Sequence, residues 1–135
     1  MNGDVLFGLA ARLSGAAGLF DPEGAAGDIF INILPEAPDG AAALFLTGGA
    51  EDVPGVFGGI ERRNVRALTR GVSGEEAARR LRLIEETLCG KTFRAGGAFY
   101  CDVRAARGAE SLGRDENGRF LFERVFAVSR KEAAQ

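Results

Sequence analysis

The residues that could do chemistry are few. Cys89 and Cys101 are the two cysteines, and the chain has no histidine. That removes the commonest general base near neutral pH and the commonest metal ligand. Two thiols make half a zinc site at most, so they read as buried free thiols. Ser14, Ser73, Ser111 and Ser129 have no candidate base for a catalytic triad. The adjacent acids Glu75/Glu76 and Glu85/Glu86 fall on a solvated helix face, where nothing raises a carboxyl pKa for acid–base work. Gly90-Lys91-Thr92 has the end of a phosphate-binding loop, but Glu85 stands where that loop needs glycine. The tripeptide also follows a helix instead of opening one. Asp115-Glu116-Asn117-Gly118 has part of a calcium-loop pattern, but Gly113 and Arg124 occupy positions that should be acidic. No catalytic, metal or cofactor site is expected.

What survives is a polar turn, Gly113-Arg114-Asp115-Glu116-Asn117-Gly118-Arg119, running into Phe120-Leu121-Phe122-Glu123-Arg124-Val125-Phe126-Ala127-Val128-Ser129-Arg130. Phe120, Phe122, Phe126 and Val128 share one face at period two, with Leu121, Val125 and Ala127 on the other. Such a strand belongs at the centre of a sheet, with the turn presented at the surface.

Length and composition limit the rest. A chain of 135 residues fits one domain, 1–135, and buries roughly two-thirds of its unfolded surface without a staple. No apolar run approaches ~18 residues, so no membrane helix is expected. The N-terminus lacks the basic start and apolar core of a signal peptide, which points to synthesis in the cytoplasm. Many of the 20 glycines sit in two stretches, 15–27 and 48–59, which read as mobile loops. The net charge of −2 hides an asymmetry: residues 1–60 carry one base and eight acids, and residues 61–135 carry 16 bases and 11 acids. An acidic first half and a basic second half attract copies of the chain if they show on different surfaces. Arginine supplies 15 of the 17 bases, and its planar fork suits interfaces.

The elements follow from periodicity. Val5, Leu6, Leu9 and Leu13 make a helical stripe over 4–16, with Asn2 or Asp4 as cap. Ile29-Phe30-Ile31-Asn32-Ile33-Leu34 is a strand or a docked extended segment, followed by a proline-rich turn over 35–40. A strand over 41–47 should stop at Gly48-Gly49, and 51–59 reads as a loop. Residues 60–70 alternate, with Val65, Ala67 and Thr69 on one side and Arg66, Leu68 and Arg70 on the other. Ser73 caps a helix over 73–88, with Glu76 completing a capping box and Ala77, Leu81, Ile84 and Leu88 as its buried stripe. Glu76–Arg80 and two similar pairs stand at i, i+4. Gly90 ends that helix. A strand over 98–107 should face Phe99, Cys101 and Val103 one way and Tyr100, Asp102 and Arg104 the other. The fold expected is α+β: a mainly antiparallel sheet of four or five strands with two helices packed on one face.

Taken together, Leu19-Phe20-Asp21-Pro22, Ile29 to Asp39, Gly48-Gly49, the capped helix and the Gly-Arg-Asp-x-x-Gly turn at 113–118 resemble the tailed-phage minor capsid or tail terminator proteins. The resemblance spans most of the chain. It implies a structural virion protein without catalytic residues, made in the bacterial host cytoplasm and located at the tail–head junction. It implies a homo-oligomeric ring, possibly a hexamer, that caps the tail tube and meets a head-completion or connector protein. Arg114, Asp115, Glu116 and Arg119 on the exposed turn, with Arg62, Arg63 and Arg66, are the interface candidates. Rival readings are another neck component, a small ligand-binding α+β domain, and an enzyme working through carboxylates alone. The arginines at 62, 63, 66, 70, 79, 80 and 82 lack interleaved aromatics, so no specific nucleic-acid partner is expected.

Overall fold

The structure, a computed structural model, describes residues 5–14, 28–53, 59–95 and 97–132. Expectations for the cap at residues 2–4, the segment at 15–27 and the centre of the loop at 54–58 lie outside the described residues. In chain order the elements are α1 (Val5–Ser14), β1 (Ile29–Ile31), β2 (Ala41–Val53), β3 (Ile60–Gly71), α2 (Gly74–Leu88), β4 (Phe93–Ala95), β5 (Ala98–Ala105), β6 (Glu110–Arg114) and β7 (Phe120–Glu132).

The Phe-rich strand is central, as its two apolar faces require. β7 pairs antiparallel with β3 along one edge. Its other edge is shared in succession by β5 and β6. The sheet has seven strands in the order β1-β2-β3-β7-β5-β4, with β6 also on β7, where four or five were expected. β1, three residues at Ile29–Ile31, forms within the run read as a strand or a docked segment; β4 and β6, of three and five residues, are too short for alternation to register in sequence. β1 also pairs parallel to β2, so the sheet is mixed. β1 ends at Asn32, which adopts a left-handed φ of 66° and donates its N–H to the Leu44 carbonyl.

β2 does not stop at Gly48-Gly49. It continues to Val53, and its register against β3 shifts between Thr47 and Glu51. The glycines sit in an irregularity of the ladder, a place that suits residues without side chains. The expected faces of β5 also change. A register shift between Tyr100 and Asp102 sets Cys101 aside, so Ala98, Tyr100 and Val103 are all buried. A bulge inverts the parity of every residue after it, which strict alternation does not anticipate. Cys89 and Cys101 are free thiols, half-buried instead of buried.

Both helices pack on one core. Leu6, Leu9 and Leu13 of α1 join Leu81, Ile84 and Leu88 of α2 against Leu44, Val65, Ala67, Phe126 and Val128 of the sheet. Each such aliphatic side chain contributes about 1.5–3 kcal/mol on burial. α2 begins as expected: Ser73 Oγ accepts the Glu76 N–H at 3.1 Å. Glu76 Oε2 accepts the Val72 N–H just before the cap at 2.9 Å, and Arg80 pairs with the distant Asp28 at 3.3 Å, so these two side chains do not pair with each other. Thr69 Oγ1 donates to the Ala77 carbonyl, tying α2 to β3.

One close approach fixes α1. Tyr100, fully buried, stacks on Phe93 with centroids 4.8 Å apart and donates its hydroxyl to the Val5 carbonyl at 3.0 Å. A Cβ on Gly8 would lie 2.0 Å from that hydroxyl oxygen. The ring is held on both sides and cannot yield cheaply. Gly8→Ala should therefore cost about 1–3 kcal/mol in denaturant unfolding, and an unchanged midpoint would contradict this packing.

Candidate functional site

One set of polar side chains lies on the sheet face turned away from the core. On β3, Val65, Ala67 and Thr69 are buried on the helix side, so Arg62, Asn64, Arg66, Leu68 and Arg70 point to the other. Their cross-strand partners on β7 are Ser129, Ala127, Val125, Glu123 and Leu121. The row has two ends with different chemistry.

At the first end, β6 and β7 form a hairpin through the turn at 115–119. Asp115 organises that turn. Its Oδ1 accepts the N–H groups of Asn117 and Arg119, each at 2.9 Å, and its backbone N–H donates to the Arg119 carbonyl at 2.8 Å. Gly118 has φ 78°, a conformation that costs glycine nothing. Arg119 then turns inward, only 7% exposed. Its Nε donates to Asp115 Oδ2 at 2.9 Å, and its Nη1 donates to the Glu36 carbonyl and to Asp39 Oδ1. Arg70, 3% exposed, donates to the Asp39 carbonyl at 3.0 Å and the Pro38 carbonyl at 2.5 Å. Two buried guanidiniums thus hold the proline-rich turn at 35–40, which contains the cis Ala37–Pro38 bond, against the hairpin. Glu36 and Asp39 keep their side chains largely exposed.

The charges follow from these contacts. Loss of hydration works against the Asp115 carboxylate, but the Arg119 and Asn117 N–H groups and the Arg119 guanidinium more than offset it, so its pKa falls below the usual value. Burial likewise opposes the Arg119 charge, and Asp115 and Glu36 outweigh it, raising that pKa. Burial, then the like charge of Arg119, lowers the Arg70 pKa, against the pull of Asp115, Glu36 and Asp39. Away from this end, burial followed by the charge of Glu85 raises the Cys89 thiol, the opposite of what a nucleophile needs.

At the second end is a cleft of about 360 Å³. Its floor is Ala127 and Ser129 of β7, and its walls are Arg62 and Asn64 of β3 and Asp102 and Arg104 of β5. Small residues on the middle strand between long ones on its neighbours produce the hollow. Arg104 Nε donates to Asp102 Oδ2 at 2.7 Å.

The seven sequence-derived candidates therefore separate. Arg114 and Glu116 are exposed on the turn, with the Arg114 guanidinium 5.3 Å from the centroid of the Phe120 ring. Asp115 and Arg119 share that turn but are committed to its internal bonds, so Arg119 is not an exposed turn residue. Arg62 lines the cleft. Arg63 pairs with Glu61 at 3.0 Å, and Arg66 pairs with Glu123 beside the Phe45 ring. Sequence reasoning missed Arg70, Glu36 and Asp39, whose partners are remote in the chain, and Asp102 and Arg104, whose placement depends on the β5 bulge. Among the described residues, no three His, Cys, Asp or Glu side chains are grouped to hold a metal ion, and no helix is long and apolar enough to cross a membrane.

The family model for bacteriophage tail terminator protein matches residues 15–132. The chain belongs to the bacteriophage tail terminator family. The fold is similar to that of a solved structure, a chain from the virion of a native gene transfer agent (GTA) particle. The two share 11% identity with a TM-score of 0.62, and the match covers 93% of each chain. At that identity the likeness is one of fold. No curated protein matches. The family is one of structural virion proteins.

The Asp115 turn gives this terminator an acid limit. Because the folded pKa is depressed, its contribution is present above the unfolded value near 3.9 and is lost as pH falls through the lowered folded value. Asp115→Asn should be less stable than wild type at pH 7, and its melting temperature should change less between about pH 5 and about pH 3. Parallel acid profiles for the two proteins would contradict that role.

Proposed function

We propose that this tail terminator acts as a homo-oligomeric ring that caps the tail tube and then joins it to a head-completion or connector protein. The observation that carries the reading is the family match over residues 15–132. The GTA virion likeness over 93% of the chain supports it on fold. The protein works by assembly and not by catalysis. A closed ring requires a heterologous contact, in which one patch meets a different patch on the neighbour. The sequence supplies an acidic first half and a basic second half, and the sheet face carries unlike ends.

Exposed Arg114 and Glu116, at the hairpin that carries the 115–119 turn, are the natural contact residues of such an assembly, while Asp115 and Arg119 shape the turn from within. Arg114→Ala with Glu116→Ala should leave the melting temperature close to wild type and weaken assembly.

Light scattering across concentration, followed by electron microscopy with purified tail tubes, tests the proposal. The expected result is a closed ring, free or seated on tube ends, with assembly weakening between ~0.05 and ~1 M salt as the screening length falls from over ~10 Å to ~3 Å. A protein that stays monomeric at every concentration and leaves tube ends bare would overturn the ring.

A further inference from the structure

We infer that the acidic turn pair of one copy, Glu36 and Asp39 with Glu116, docks into the arginine cleft between β3 and β5 of the next copy. This names the two patches of the ring proposed above and rests on that reading.

Three observations carry it. The first is the charge presented at each end. Arg70 and Arg119 lie beneath the proline-rich turn, 3% and 7% exposed. The Glu36 and Asp39 side chains stay 85% and 66% exposed while pairing with Arg119 from above, and Glu116 is exposed on the hairpin turn, where the neighbouring Arg114 guanidinium lies over the Phe120 ring. The cleft carries guanidiniums, with Arg62 and Arg104 on its walls and Asp102 beside Arg104. Asp102 engages Arg104 through Nε, which leaves terminal guanidinium N–H groups for a second carboxylate, in the forked geometry that arginine favours.

The second observation is shape. The acidic end is a rigid projection. Asn117 Nδ2 donates to Glu36 Oε2 at 3.2 Å, and Arg119 binds both turns. The cleft is a hollow of about 360 Å³, room for a few side chains. A preformed projection entering a preformed hollow loses little entropy on docking.

The third is position. Along β7 the acidic end lies at Phe120 and the cleft at Ser129, nine residues apart, or about 30 Å at strand rise. One chain cannot bring its own turn into its own cleft. Each copy offers a donor at one end and an acceptor at the other, which is the head-to-tail relation that closes a ring. A phosphodiester fits less well, because among the described residues no aromatic ring lines the cleft for bases to stack on.

Charge exchange tests this on the full chain. Arg62→Glu with Arg104→Glu should raise the concentration needed for assembly about tenfold or more. Glu36→Lys with Glu116→Lys should do the same. All four substitutions in one chain restore opposite charges across the contact, and assembly should return towards wild type. The milder Arg62→Gln with Arg104→Gln, monitored by thermal melting, keeps the test valid if a reversed variant misfolds. If wild type assembles and the pairwise reversals assemble equally well, the docking assignment is overturned while the ring stands. If the quadruple variant folds but stays as weak as the pairs, the two patches do not face each other. Loss of oligonucleotide binding by the cleft variants with unchanged assembly would assign the cleft to phosphodiesters and overturn the proposal. If wild type forms no ring alone or on tail tubes, the ring reading itself fails.

Discussion

A buried arginine must find all its partners inside the fold, because an unpaired charge away from water is among the costliest things a protein can hold. Arg119 satisfies that demand by drawing together segments about 80 residues apart in sequence: the hairpin turn that contains Asp115 and the proline-rich turn that contains Glu36 and Asp39. Arg70 adds two carbonyls of the same turn. The connection between β1 and β2 is thereby fixed against the end of β7. The same pairing decides what solvent sees, since the guanidiniums are spent below the surface and carboxylates are left above it.

The sheet supplies the platform for this clamp. β7 is paired along both edges, by β3 on one side and by β5 and β6 in succession on the other. Its core face is closed by α1 and α2 through shared leucines and isoleucine. The other face is left to charges and small residues. Ala127 and Ser129 on the middle strand create a hollow between arginines, which larger residues there would fill. A structural virion protein gains from that division. The core holds the strands in register, and with them the spacing between the clamped turns and the hollow.

Much of the architecture was legible in the sequence. The Phe-rich run announced a central strand, and Ser73 with the Ala77-Leu81-Ile84-Leu88 stripe announced α2, because both patterns repeat often enough to exceed chance. The β5 face was misread because the bulge at Cys101 shifts parity without a glycine or proline to mark it. The short strands β4 and β6 gave too few alternations. The charged turn drew attention for the right reason, its sharp polar punctuation, yet nothing local showed that Arg119 folds under it while Arg114 and Glu116 stay outside. That distinction depends on Glu36 and Asp39, which periodicity cannot connect to residue 119. The cleft was half visible: Arg62 was singled out, but Arg104 reaches the same hollow only through pairing by way of β7.

The central claim is that copies meet head to tail through the turn and the cleft. Cysteine pairing addresses it most directly. In a chain with Cys89→Ser and Cys101→Ser, Glu116→Cys and Arg104→Cys place one thiol at each end of the sheet, about 30 Å apart along the strand. Mild oxidation of the assembled protein should give a ladder of disulfide-linked oligomers that ends at a single ring size. A product that stops at dimers, or no covalent product from a protein shown to assemble, would contradict the account.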